Sequence, residues 1–172
     1  MRRSAPRALL LSNPCCQQGV TLMELMVTLV ILSILAAAAM PYAELTVRRN
    51  HELDLRRSLR DIRTAIDRLH EDWETGKISK LGNAVSEDGY PKTLGALVEG
   101  AEAAQAKGGK VKYLRRIPPD PFAEAGKPVE EQWVLRGYQD EANSILWGGK
   151  DVFDVRSASG KKAIDGSLYK DW

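Results

Sequence analysis

The sequence predicts an α+β protein: a long N-terminal helix, half apolar and half amphipathic, packed on a small antiparallel β-sheet. Three observations carry this. Residues 20–43 form a run of 24 with a single charge, Glu24. Leu55, Leu59, Ile62, Ile66, Leu69 and Trp73 then recur at alternating steps of four and three, the apolar stripe of an amphipathic helix. The last third of the chain holds short apolar stretches broken by Gly, Pro and Asn, the pattern of short strands and turns.

The first element is the apolar run. At about 1.5 Å per residue it would measure roughly 36 Å as a helix, against about 30 Å of hydrocarbon. It is therefore long enough to cross a membrane. Before it, residues 1–19 carry Arg2, Arg3 and Arg7 and no acid. The positive-inside tendency would keep that leader cytoplasmic and place the body across the membrane. An ordinary secretory signal has an apolar h-region of about 7–15 residues before its cleavage site. Here only the "ALLL" of residues 8–11 is apolar before Ser12, Asn13 and Pro14 interrupt it. Pro14 and Asn13 also stand where a lipoprotein cysteine at Cys15 would want small residues.

Glu24 is the anomaly in this run, since a carboxylate inside a membrane segment costs about 2.5–3.5 kcal/mol. If the chain were cut after Gly19, Val20 would become a new N-terminus one helical turn from Glu24. Its amine and the acid would then pair within one chain or between neighbours. The plainer alternative is an acid at the interface that reaches the headgroups.

The helical pattern resumes after Pro41, which should bend the helix by removing one hydrogen bond and crowding the preceding turn. One helix from about Val20 to Thr75 is predicted, with Gly76 as its stop. The faces away from the stripe are charged and read as solvated. His51 and His70 read as surface residues; 19 positions apart on one helix, they cannot share a site. Thr93 should cap a short helix carrying Leu94, Leu97, Val98 and Ala101, ended by Gly108 and Gly109. Strands are predicted within residues 110–117, 132–138 and 150–157, forming one sheet over the stripe. Trp133, Trp147 and Trp172 read as packing residues.

The composition excludes several functions. The chain has 25 Lys and Arg against 23 Asp and Glu. Without the three leader arginines, 22 cations face 23 acids, which makes no electrostatic case for nucleic acid. Both cysteines, Cys15 and Cys16, precede Gly19, so no disulfide staples the body. No H-E-x-x-H or G-x-S-x-G motif is present, and the chain reads as a non-enzyme.

The N-terminal residues resemble the class III signal of type IV pilins and pseudopilins. Gly19, Thr21, Leu22 and Glu24 match its pattern of glycine, apolar residue, Thr, Leu, any residue and Glu before an apolar helix. Val20 stands where phenylalanine or methionine is usual. Pro41 matches the proline that kinks this helix in the family. "YPKTLGALV" and the blocks "YLRRIPPDPF", "WVLRGY" and "DVFDVRSASGKKAIDGSLYKDW" resemble major pseudopilins of type II secretion systems.

The resemblance implies a pilin-like fold in three segments: a leader (1–19), a transmembrane and assembly helix (20–43) and a periplasmic globular domain (44–172). It implies cleavage after Gly19 by a prepilin peptidase, N-methylation of Val20, and pairing of Glu24 with a neighbouring subunit's amine. The implied role is a structural subunit of a periplasmic pseudopilus, stored as a single-pass inner-membrane protein. Its partners would be other copies of itself, minor pseudopilins and the inner-membrane assembly platform. A type IV pilin of a surface fibre and a membrane-anchored periplasmic binding domain are the alternatives. The lack of a cysteine after Gly19 favours the pseudopilin over pilins closed by a C-terminal disulfide. Major pseudopilins often bind calcium in the C-terminal loop, where Ser159 and Asp165 fall at the expected acid positions. Calcium prefers six to eight oxygens, several from carboxylates. Ser159 in place of an acid, beside Lys161 and Lys162, leaves the expectation at no cofactor.

Overall fold

The computed structural model describes residues 19–80, 82–105, 109–124, 126–141, 144 and 146–172. The leader through residue 18, with Cys15 and Cys16, lies outside the described residues, as does Gly108. The architecture is α+β and pilin-like, a long N-terminal helix with small antiparallel sheets.

Helix α1 spans Leu22–Glu74, 53 residues. It passes from one compact unit, ending at Ala43, into a second, Glu44–Trp172. In the first unit every side chain at positions 20–39 is exposed, and nearly all are apolar. Two of the three hydroxyls there donate to their own helix: Thr28 Oγ1 to the Leu25 carbonyl at 2.9 Å and Ser33 Oγ to that of Leu29 at 2.7 Å. This part of α1 is long and apolar enough to cross a membrane. The helix continues through Pro41, which has no N–H for the carbonyl one turn back.

In the second unit the predicted stripe is the core. Leu55, Leu59, Ile62, Ile66 and Leu69 are buried, with Trp73 packed at the edge. They share one cluster with Leu94, Leu97, Trp133, Val152, Val155 and Tyr169. Helix α2, Leu94–Glu99, is capped as predicted: Thr93 Oγ1 accepts from the Ala96 amide at 3.3 Å. It stops earlier than predicted. Gly100 takes φ +91°, and a Cβ there would meet the Val111 carbonyl oxygen at 2.7 Å. That close approach turns the chain, so Ala101 enters a strand instead of the helix face. Strand β1, Ala101–Glu102, pairs antiparallel with β2, Lys110–Val111.

Among the described residues the predicted single sheet is instead two separate antiparallel ladders. Strand β3, Trp133–Arg136, pairs with β4, Asp154–Ser157, with Leu135 opposite Val155. The stretch 110–117 yields only the two residues of β2. The amides of Tyr113 and Leu114 both donate to the Leu97 carbonyl at 3.0 Å, closing the end of α2. Pro118 and Pro119 then offer no amide to a ladder. Val152 is buried ahead of β4, its amide on the Pro91 carbonyl at 2.7 Å.

Trp133 is buried and Trp172 packs against the core as predicted, whereas Trp147 stands exposed; each has its indole N–H engaged. Trp133 donates to the Pro118 carbonyl, Trp147 to that of Asp151 and Trp172 to Ser167 Oγ. His51 is exposed, but His70 is not the simple surface residue expected. Its ring stacks on Tyr90 at 4.3 Å between centroids, and Nδ1 lies 3.2 Å from the Gly89 carbonyl oxygen. The neighbouring stripe residues Leu69 and Trp73 bring it over the Tyr90 turn.

Candidate functional site

Gly19, Val20 and Thr21 precede α1 in non-helical backbone. Gly19 has nothing within 4 Å of the position of a Cβ, and Val20 is 63% exposed. The bond between them thus lies in exposed, non-helical backbone ahead of the helix. The helix begins immediately beyond. Thr21 Oγ1 accepts from the Glu24 amide at 3.2 Å, making Thr21 the N-cap and Glu24 the third helical residue. Thr-x-x-Glu is the arrangement of a capping box, and an acid in the first turn also meets the positive end of the helix dipole. Glu24 thus has a local reason to stand at the start of an apolar helix. The spacing of Thr21 and Glu24 was the signal for it in the sequence.

Ser159 and Asp165 have separate engagements in the C-terminal loop. Ser159 is buried, and its Oγ accepts from the Lys161 amide at 3.4 Å. The Asp165 carboxylate accepts from the Ser167 hydroxyl at 2.6 Å and the Ser167 amide at 2.9 Å, and lies 3.8 Å from Arg56. These hydrogen bonds, the hydroxyl first, hold its carboxyl below the usual carboxylate range. Among the described residues no three His, Cys, Asp or Glu side chains are grouped to hold a metal ion.

The same loop is braced against α1. Arg48 donates to the Lys162 carbonyl and, at 3.5 Å, to the Tyr169 hydroxyl. Glu52 Oε1 accepts from Tyr169 Oη at 2.9 Å and from the Ile164 amide at 2.8 Å. Deeper in the body, Ser157 Oγ donates to Asp120 Oδ2 at 2.6 Å, and Asp120 Oδ1 accepts from the Phe122 amide. Asp154 bridges Arg63 of α1, at 2.7 Å, and Arg136 of β3, at 3.3 Å. These polar partners lie as many as 121 positions apart, and periodicity carries no sign of them.

Residues 15–40 match the prokaryotic N-terminal methylation motif. With its glycine, first-turn acid and membrane-length helix, the chain thus carries a prepilin-type leader, the signal that a prepilin peptidase processes. This supports a type IV pilin-like subunit with a hydrophobic N-terminal anchor. No curated protein and no solved structure matches the chain.

Proposed function

We propose that the chain is a structural subunit of a periplasmic pseudopilus in a type II protein secretion system. In this reading residues 1–19 are removed by a prepilin peptidase and Val20 is N-methylated. The segment 20–43 holds the subunit in the inner membrane and then bundles with its counterparts in the filament. The globular domain, 44–172, faces the periplasm, and the role is mechanical, without cofactor or catalysis.

The observation that carries the proposal is the motif together with the surface behind it. An accessible Gly19 precedes an apolar helix that its own chain leaves exposed over residues 20–39. Such a surface must be covered, by lipid in one state and by other helices in another. The absence of cysteine after Gly19 favours a pseudopilus over a surface fibre.

Two measurements test this. Mass spectrometry on membranes co-expressing a prepilin peptidase should give a chain beginning at Val20; one beginning at Met1 would remove the assembly role. Deletion of the chain in its host should leave exoproteins in the periplasm with surface fibres unchanged. Loss of fibres with normal secretion would make it a pilin.

A further inference from the structure

The loop braced by Arg48 and Glu52 carries Lys161, Lys162 and Ile164, all exposed. Neither lysine has an ion-pair partner among the described residues, and Ile164 leaves 47% of its surface in solvent. Arg49 on α1 is likewise exposed, with no ion-pair partner among the described residues. The nearby acids are mostly committed. Glu52 accepts from Ile164 and Tyr169, and Asp165 from Ser167, beside Arg56. Glu44 is exposed. Glu124, Lys127 and Glu131 line the cleft beside Lys161, with Glu124 paired to Lys127. Arg48, Arg49, Arg56, Lys127, Lys161 and Lys162 against Glu44, Glu52, Glu124, Glu131 and Asp165 leave the collar at +1.

Its position follows from connectivity. Arg48 lies five residues past Ala43, the end of the apolar run. Even fully extended, five residues reach no more than about 18 Å. A membrane that held the apolar run would lie within that distance of Arg48, and the lysine loop is bonded directly to Arg48. Cationic side chains around an exposed aliphatic residue match an anionic lipid interface, with ammonium and guanidinium groups on the phosphates and the isoleucine at the acyl boundary.

We propose that this collar, Arg48, Arg49, Lys161, Lys162 and Ile164, docks the globular domain on anionic phospholipid headgroups while the subunit is stored in the membrane. The proposal rests on reading residues 20–43 as membrane-crossing. It adds that the body is held on the lipid surface and must be peeled from it on assembly.

The test is lysine acetylation of the full chain, one copy per nanodisc, in phosphatidylglycerol or phosphatidylcholine. Lys161 and Lys162 should react about fivefold more slowly in phosphatidylglycerol. Lys92 and Lys150 serve as exposed references and should not change. About 0.5 M sodium chloride should abolish the difference, and Arg49→Glu should reduce it. Equal rates in the two lipids would overturn the proposal. So would protection that appears only with several copies per disc, which would make the collar a contact between subunits. A chain that does not enter the discs would remove the membrane reading and the proposal together.

Discussion

Gly89 turns the chain at φ +82°, where a Cβ would stand 2.5 Å from Cε3 of Trp73 and 2.9 Å from Nδ1 of His70. An alanine would meet both the left-handed backbone penalty and the stacked rings. Gly89→Ala should destabilise the protein by about 2–4 kcal/mol, measured by urea unfolding. Asp72 is a second critical residue. Lys77 Nζ, at 2.8 Å, and then the Tyr113 hydroxyl, at 3.1 Å, donate to its carboxylate and hold it below the usual carboxylate range. A depressed folded pKa stabilises above the unfolded value and is lost as pH falls through the folded one. Asp72→Asn should therefore melt below the wild type at neutral pH, with the gap closing below about pH 4. The C-terminal loop gives a third expectation. With Asp165 occupied by Ser167 and Arg56, millimolar calcium should leave the melting temperature unchanged; a rise with measurable binding heat would restore a calcium site there.

At the scale of elements, α1 depends on its stripe. Ile62 and Ile66 are fully buried against residues from α2 and the β3–β4 ladder. Either isoleucine replaced by alanine should cost about 2–5 kcal/mol in denaturant unfolding. Arg60, exposed on the same helix, should tolerate alanine within about 0.5 kcal/mol. This helix was legible because its burial is periodic: Leu55 to Leu69 are spaced for one face, and Thr93 announced α2 in the same local way. The strands were not. Residues 113 and 114 are apolar enough for a strand, but their amides go to the Leu97 carbonyl, a tertiary contact without a local pattern. Gly100 ends α2 because the Val111 backbone comes close, again a contact with a distant segment. The candidate site divides similarly. Gly19 and Glu24 were legible from a short motif. The bracing of the C-terminal loop by Arg48 and Glu52 was not, because it joins residues 112–121 positions apart.

For the whole molecule the question is what Glu24 does once many copies meet. Two physical roles compete. As the third helical residue behind Thr21, it supports the start of α1, a contribution of about 0.3–1 kcal/mol. As a carboxylate in an apolar helix, it seeks a cation, and a neighbour's Val20 amine would supply one. The two roles separate by substitution, since glutamine serves a capping box as glutamate does but carries no charge. If pairing between subunits dominates, Glu24→Gln and Glu24→Ala should both insert and be cleaved at Gly19, and both should lose most filament yield in sedimentation of sheared cells. If capping dominates, Glu24→Gln should assemble normally and only Glu24→Ala should fail. The pairing role is the expected winner. A cap worth about 1 kcal/mol at the end of a 53-residue helix changes its population little, whereas an unpaired carboxylate among packed apolar helices costs about 2.5–3.5 kcal/mol in each subunit. Normal yield from Glu24→Gln would sink the pairing account and leave the acid as a helix cap.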